Sequence, residues 1–174
     1  DALPISMRKL ESQGLIQIFP KRYAQVANFS DKEIKDIGMI RISLDILSIK
    51  LVAIYGSKAE LLNLKSIAEQ CLEAFNNNDG VQRRKLDSDF HKELCRISKN
   101  KLLFDMQEDL SLKIQFILMH NDFKSVNDKE HLNQHIQIVD SLIEGNIEQA
   151  LKLDIQHLSE FYCLDIDSPI EFFL

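Results

Sequence analysis

The sequence lacks long hydrophobic runs, paired cysteines and internal repeats. No apolar run approaches the roughly 20 residues that a membrane-spanning helix needs, and no segment resembles a signal peptide. The three cysteines are odd in number and widely spaced, with no CxxC pair, so we expect reduced and mostly buried thiols. These absences argue against a membrane protein and a disulfide-stapled protein, and we expect a cytoplasmic location.

What the sequence does contain is ordinary for a globular protein, apart from its charge distribution. Its 174 residues are 45% hydrophobic and 28% charged, which suits one main domain with a substantial core. Residues 1–25 hold four basic and two acidic side chains, which gives this segment a charge of +2. The whole chain has a net charge of −6, so the rest of it carries −8. Only the basic N-terminal piece, through Lys21 and Arg22, is therefore expected to approach nucleic acid.

The first thirty residues are typical of a helix end followed by a β-hairpin. Gly14 closes the helix, and residues 15–19 and 24–29 alternate like two strands on either side of a basic turn. Two strands alone are marginally stable, so we expect the hairpin to pack on the preceding helix. Residues 1–5 can be encoded by a run typical of sequencing adaptors. We hypothesise that they are not native and that the gene is cut off at its 5′ end.

After residue 30 the sequence predicts an all-α fold, an antiparallel bundle of six or seven helices. Ser30 and Ser57 each precede a glutamate by three positions, which is the capping-box pattern. Helical periodicity indicates helices over residues 34–55, 57–75, 81–98, 101–120, 129–144 and 147–164. Ser125 is a candidate cap in the connection before the fifth of these helices. The Phe172-Phe173-Leu174 end of the tail 165–174 is expected to tuck against the body.

An Asp/His pair is the first candidate for chemistry. Asp87 and His91 are four residues apart, so both project from one helix face, which also carries Phe90 and Leu94. That face should point towards the core, where an unpartnered carboxylate or imidazole is costly to bury. Taken alone, such a pair is most often a surface or half-buried hydrogen-bonded pair.

Two further histidines strengthen the interpretation as a metal site. His135 lies ten residues before Gly145 and His157 lies twelve after it. In two antiparallel helices joined at Gly145, both would lie roughly 15–18 Å from the turn and face each other. Three imidazoles and one carboxylate suit Zn²⁺, Ni²⁺, Fe²⁺ or Mn²⁺, and spacing does not choose among these ions.

Neighbouring polar residues receive simpler interpretations. His131, one turn before His135, is expected to face solvent or to support a ligand from outside. Glu130 and Asp154 are expected to be surface charges. Arg41, among apolar neighbours, is expected to extend towards solvent or to pair with an acid.

At this point the residues resemble a known family, the GntR transcription regulators of the FadR subfamily. Its DNA-binding junction is matched by Leu10-Glu11-Ser12-Gln13-Gly14-Leu15-Ile16, Pro20-Lys21-Arg22, Val26, Phe29-Ser30 and Ile40-Arg41. Its helical effector domain, the FCD domain, is matched by Asp87, Phe90-His91, Ser98-Lys99-Asn100, Leu103, His135, Ile138, Gly145, Ala150 and His157-Leu158. The resemblance covers about residues 7–164.

The resemblance implies a homodimeric repressor or activator that binds operator DNA and responds to a small carboxylate metabolite. Residues 1–29 would be a truncated winged helix-turn-helix module, and residues 30–174 the effector-binding and dimerisation domain. The implied ligands of a divalent metal are Asp87, His91, His135 and His157. Arg41 resembles the arginine directed at the effector, and Asn100 would contact the effector or cap the following helix.

Two departures and two alternatives accompany this interpretation. Most of the recognition helix is absent from the sequence, and Tyr23 stands where the family's wing has glycine. A metal site of this kind could instead activate water in a hydrolase. An enzyme also needs a general base and a transition-state stabiliser, and no convincing arrangement of them is present. The other alternative is a purely structural metal locking three helices. We therefore predict a regulator and not an enzyme.

Overall fold

A computed structural model describes residues 5–120, 129–164 and 166–174 of the chain. Within these ranges lie eight helices and one two-stranded hairpin. In chain order they are α1 Ile5–Ser12, β1 Ile16–Phe19, β2 Tyr23–Val26, α2 Asp31–Tyr55, α3 Lys58–Asn76, α4 Gly80–Ile97, α5 Lys101–His120, α6 Lys129–Ile143, α7 Ile147–Phe161 and α8 Pro169–Phe173. The predicted all-α bundle with an N-terminal hairpin is confirmed.

Local capping explains where the long helices begin. The Ser30 hydroxyl accepts from the backbone N–H of Glu33, whose carboxylate accepts from the Ser30 N–H in return, and Ser57 and Glu60 repeat this at α3. Gly145 takes a φ of +76° between α6 and α7, a conformation that glycine adopts without strain. The predicted helix boundaries agree with the structure to within about three residues. The candidate cap Ser125 lies outside the described residues.

The largest buried hydrophobic cluster among the described residues is contributed mainly by α2, α3, α4, α6 and α7. Its fully buried members include Ile42, Ile49, Leu64, Phe90, Leu94, Ile138, Ile155 and Leu158. Burying each such side chain stabilises the fold by about 1.5–3 kcal/mol. Gly38 marks the closest approach of α2 to the end of α7, because a Cβ there would lie 2.4 Å from Tyr162 Cγ. This close packing brings Tyr162 beside α2, where it contacts the site described below.

The hairpin is tied to α1, as predicted. Its strands pair antiparallel from Ile16 with Val26 to Phe19 with Tyr23. The N–H of Ile18 donates to Glu11 Oε1 of α1 at 3.1 Å, and Leu15 between α1 and β1 is buried. The β2 strand is exposed along its whole length, so the hairpin contributes little to the core.

The tail agrees with the prediction only in part, since Phe172 and Leu174 are exposed. Ile170 and Phe173 of α8 pack against the main core.

The three cysteines are free; Cys71 and Cys95 are buried and Cys163 is exposed. Burial raises the pKa of the Cys71 thiol to about 12, so it is a neutral thiol at physiological pH. In the parts of the chain that the structure describes, no helix has both the length and the apolar character that crossing a membrane requires.

Candidate metal and effector site

The four residues proposed as metal ligands come together in the bundle core. Asp87 and His91 lie one turn apart on α4, His135 faces them from α6, and His157 from α7. All four are buried, and one potential ligand atom from each lies within 4.8 Å of the others. His135 Nε2 is 3.2 Å from His91 Nε2 and 3.8 Å from Asp87 Oδ1. We call these residues the four-residue cluster.

Two acceptors outside the four-residue cluster determine which ring nitrogen carries the proton in His91 and in His157. Asp45 Oδ2 of α2 lies 2.5 Å from His91 Nδ1, and Gln134 Oε1 of α6 lies 3.0 Å from His157 Nδ1. Both oxygens accept hydrogen bonds, so each Nδ1 carries a proton, and in a neutral ring the lone pair is then on Nε2. This is the arrangement that orients a histidine for metal ligation.

The charge state of the four-residue cluster suits a cation. Burial lowers the pKa of His135 and of His157 well below the usual histidine value, so both are neutral at pH 7. Burial alone would raise the pKa of Asp87, but His135, His91 and Arg41 outweigh it and leave that pKa below its usual value. The four-residue cluster therefore offers a carboxylate, from Asp87, and the neutral imidazoles of His135 and His157 within one small volume.

The hydrogen bonding within the four-residue cluster is incomplete without a cation. The Nε2 atoms of His91 and His135 face each other at 3.2 Å, and His135 Nδ1 is buried without a partner among the described residues. If His135 donates its Nε2 proton to His91, its Nδ1 lone pair stays buried and unsatisfied. Nitrogen and oxygen donors bound to one ion at roughly 2.0–2.2 Å lie about 3–4 Å apart. The residues present fit a divalent metal.

Arg41, predicted to contact the effector, lies directly beside the four-residue cluster. One of its terminal nitrogens is 3.9 Å from Asp87 Oδ2, and the other donates to the Tyr162 hydroxyl at 3.2 Å. Burial alone would lower the pKa of Arg41, but Tyr162, Asp87 and Asp45 raise it on balance, so the guanidinium stays charged. The structure thus shows the acid pairing that sequence analysis gave as one interpretation. The effector role stays a prediction.

Asn100 is not part of this site. It is exposed at the start of α5, where its Oδ1 accepts from the backbone N–H of Leu103 at 3.1 Å. Helix capping, the simpler of its two interpretations, is what the structure shows. Lys21 and Arg22 also lie outside the core, since both are exposed in the turn between β1 and β2.

One of the simpler interpretations was wrong. Asp154 was expected at the surface, but it is fully buried on α7, and both its carboxylate oxygens lack a partner among the described residues. Burial and the nearby Asp45 raise the pKa of Asp154 well above its usual value. The reason is its position: four residues after Ala150 and three before His157, it lies on the inward stripe of α7.

His131 does not face solvent. Its ring is buried and stacks on His157 with centroids 3.9 Å apart, and its Nε2 has no partner among the described residues. Burial lowers the pKa of His131, which favours the neutral ring. Of its two predicted positions, the structure shows the one beside a proposed ligand and not the one facing solvent. Glu130, by contrast, is exposed as expected.

Sequence reasoning missed Asp45 and Gln134. Asp45 interrupts an apolar run and lies one turn after Arg41, so its inward direction was visible in the periodicity. Gln134 carried no such signal, because an amide next to a histidine is common on helix surfaces. Its role depends on how α6 and α7 pack.

Comparison with known proteins identifies the fold. The family model described as "FCD domain" matches residues 36–160. A transcriptional regulator of Bacillus subtilis (strain 168), YdhC, is 25% identical over 155 residues, which is 88% of this chain and 69% of that protein. The transcriptional repressor RspR of Escherichia coli (strain K12) is 26% identical over 156 residues, covering 87% of this chain and 68% of the repressor.

Solved structures share the same architecture. E. coli McbR/YncC superposes with a TM-score of 0.76 at 16% identity, covering 88% of this chain and 74% of that one. A GntR regulator from Rhodococcus sp. RHA1 gives a TM-score of 0.76 at 16% identity, with 91% and 75% covered. At this level of identity the likeness shows the fold alone.

Fold, family model and relatives agree on one class. The chain belongs to the FCD domain family and is a transcriptional regulator of the GntR family. The predicted resemblance to GntR regulators with an FCD domain is confirmed, and so is the prediction that the protein is a regulator and not an enzyme.

Proposed function

We propose that this chain is a ligand-responsive regulator whose helical bundle binds a divalent metal and, on that metal, a small carboxylate metabolite. The observation that carries the proposal is the convergence of Asp87, His91, His135 and His157 on one buried point. The Nδ1 hydrogen bonds of His91 and His157 support it, because a neutral ring that donates from Nδ1 offers its Nε2 lone pair to an ion.

Each residue of the site has a defined part in this proposal. Asp87, His91, His135 and His157 would hold the ion, while Asp45 and Gln134 orient two of the rings. When bound, a divalent ion supplies net positive charge, because Asp87 is the single anion among the four ligands. An anionic metabolite entering a buried site needs such compensation. One terminal nitrogen of Arg41 lies 3.9 Å from Asp87 Oδ2, and the guanidinium would donate to the carboxylate of the metabolite that the metal holds.

DNA binding and dimerisation complete the proposal. Residues 1–29 are the wing and last helix of a winged module of the FadR type, and residues 30–174 form the effector-binding and dimerisation part. Exposed Lys21 and Arg22 would contact phosphates, which position a protein on DNA without specifying sequence. The metabolite would act by favouring one arrangement of the two winged modules in a homodimer.

The test is whether carboxylate binding depends on the metal. Metal-loaded protein is screened by thermal shift against small carboxylates, sugars and amines, with and without a chelator. We expect the largest upward shifts from carboxylates and their loss after chelation, since an ion that binds only the folded state stabilises it by mass action. Uncharged molecules as the best stabilisers, or carboxylates that bind equally well to stripped protein, would contradict the proposal. Metal binding with no carboxylate binding would indicate a purely structural ion.

A further inference from the structure

Asp154 is a buried carboxylate that the site described so far does not use. It lies on α7 with none of its surface exposed, and neither of its carboxylate oxygens has a hydrogen-bond partner among the described residues. Burying a carboxylate with no partner is costly, so native proteins pair it with a cation or a metal, or leave it protonated.

Asp154 forms a second potential ligand group with Asp45 and His91. All three are buried, and one potential ligand atom from each lies within 4.8 Å of the others. His91 also belongs to the four-residue cluster, but its two ring nitrogens face different partners. Its Nε2 is 3.2 Å from His135 Nε2, and its Nδ1 is 2.5 Å from Asp45 Oδ2. The second group is therefore distinct from the four-residue cluster, although the two share a histidine.

Within the second group, His91 is a hydrogen-bond donor and not a ligand. The 2.5 Å between its Nδ1 and Asp45 Oδ2 is a hydrogen-bond distance. Two donor atoms on one ion would lie about 3 Å or more apart. The hydrogen bond occupies Oδ2 of Asp45, so its Oδ1 and the carboxylate of Asp154 are the oxygens that this group offers to an ion.

Gln107 of α5 adds a third oxygen beside Asp45. Its Nε2 lies 3.4 Å from Asp45 Oδ1, close to the upper limit for a hydrogen bond, and its Oε1 is buried with no partner among the described residues. The two ends of an amide have nearly the same shape, so a half-turn presents Oε1 to Asp45 Oδ1 instead. Two oxygens that face each other need a cation between them. The unpartnered oxygen of Gln107 is thus a second observation, independent of the two carboxylates, that points to a cation.

Arg41 does not neutralise Asp154 by direct contact. Its terminal nitrogens lie against Tyr162 and Asp87, and its Nε is buried with no partner among the described residues. The charge of Arg41 acts to lower the pKa of Asp154, but burial and Asp45 outweigh it and hold that pKa well above its usual value. The protein groups around Asp154 therefore do not offset its negative charge.

We propose that Asp45, Asp154 and Gln107 bind a second divalent cation, a hard ion such as Mg²⁺ or Ca²⁺. Carboxylate and amide oxygens are the ligands that these ions prefer, whereas the imidazole-rich four-residue cluster suits transition metals. One divalent ion balances the charge of the two carboxylates. The ligands come from α2, α5 and α7, so the ion joins three helices. This site goes beyond the proposed function and does not depend on an ion at the four-residue cluster.

Calorimetry on the whole chain tests the proposal. The protein is stripped with chelator, given one equivalent of Zn²⁺ to fill the four-residue cluster, and titrated with Mg²⁺ or, separately, with Ca²⁺. We expect saturable binding of one ion per chain. Asp154→Asn should weaken that binding about tenfold or more, because the affinity of an oxygen site follows the charge of its ligands. Zinc content should be unchanged in this variant.

Two further variants are the controls. Asp140→Asn removes the same charge from a half-exposed position on α6 and should leave the affinity for Mg²⁺ within about twofold, as expected for a screened charge. His135→Ala should show the reverse of Asp154→Asn, because it loses zinc and keeps the Mg²⁺ or Ca²⁺ site.

Melting temperatures establish that Asp154→Asn is folded and give a second measurement of the site. With chelator present, the variant should melt no lower than the wild type. Adding the better of the two ions should then raise the melting temperature of the wild type and not that of the variant, because only the wild type has the site.

The outcomes separate this proposal from the proposed function. If neither Mg²⁺ nor Ca²⁺ binds saturably, the proposal is overturned and Asp154 holds a proton in place of a metal. Equal affinity in the wild type and Asp154→Asn overturns it as well, since the ion then binds elsewhere. Loss of zinc together with Mg²⁺ in Asp154→Asn would show one site and not two. Failure of the carboxylate screen, by contrast, would overturn the proposed function and leave this second site standing.

Discussion

The core around His135 and the hairpin around Lys21 place their polar groups in opposite environments. In the core, imidazoles and carboxylates are buried beneath five helices, where each unmet hydrogen bond is expensive. In the hairpin, the basic side chains are exposed and β2 has no buried residue. We therefore expect specific small-molecule binding at the buried cluster. At the hairpin, where the basic side chains are exposed, we expect only weak electrostatic contact.

Removing a core ligand should have the largest effect. His135→Ala should lose most of the bound metal, because it deletes the imidazole that faces both His91 and Asp87. With metal at a thousand times its dissociation constant, the wild type gains about 4 kcal/mol that the variant lacks. Metal analysis and urea unfolding with and without chelator measure both effects.

His131→Ala is the matched control, since it removes a neighbouring buried ring that does not belong to the four-residue cluster. It should keep its metal while losing some stability from the stacking contact with His157. Equal metal content in wild type and His135→Ala would remove the site assignment.

Acidification should weaken the core but not the hairpin. The folded-state pKa values of His135 and His157 lie well below the usual value, so the unfolded chain takes up protons first as pH falls. The contribution of these two neutral histidines to the unfolding free energy is therefore complete above about pH 6.5, and it is lost as the pH falls below that value. Bound metal should leave over the same range, because imidazoles ligate only when neutral. Unfolding free energies and metal content between about pH 7.5 and 5.5 measure this, and a flat profile would contradict it.

Asp45→Asn should reduce metal affinity without deleting a ligand. The amide removes the charge that holds the Nδ1 proton of His91 at 2.5 Å, so the ring is less firmly oriented. Loss of such a supporting partner typically lowers metal affinity about 10–100-fold. Competition against a chelator of known affinity measures the change. Asp140→Asn, on the half-exposed side of α6, is the control and should leave affinity unchanged.

Asp154→Asn should change the unfolding free energy less than the loss of a core ligand does, and at about pH 7.5, with chelator present, it should not lower it. The raised pKa of buried Asp154 means that its contribution to stability is present below the usual aspartate pKa and is lost as pH rises. The amide carries no such charge, so the variant should equal or exceed the wild type in stability at about pH 7.5. The two should converge near pH 4. Urea unfolding at both pH values measures the difference, and a variant less stable at the higher pH would show that the carboxylate has a partner that it needs.

The smallest effects on stability should come from the hairpin. Lys21→Ala and Arg22→Ala are exposed substitutions and should change the unfolding free energy by less than about 0.5 kcal/mol. We expect these 174 residues to bind DNA weakly, with strong salt dependence and no sequence preference. Fluorescence anisotropy with two unrelated duplexes at two salt concentrations measures this. Tight and sequence-selective binding would break the comparison between the two regions.

Local spacing was sufficient to predict the elements and the four-residue cluster. Ser30 and Ser57 cap their helices through residues three positions away, and Asp87 and His91 share a face because they are one turn apart. His135 and His157 meet because their distances from Gly145 are nearly equal in two antiparallel helices. All of these follow from the repeat of the α-helix and a single turn, which the order of residues specifies directly.

Contacts between distant segments were decided by tertiary packing. Asp45 meets His91 across 46 positions, and Arg41 meets Tyr162 across 121, because α2 lies against both α4 and α7. Asp154 lies on the inward stripe of α7, yet only the packed bundle shows that no described group there pairs with it. Helical periodicity specifies the direction of a side chain from its own axis. What it meets depends on the rotation and height of the neighbouring helices, which are determined by the packing of the whole core.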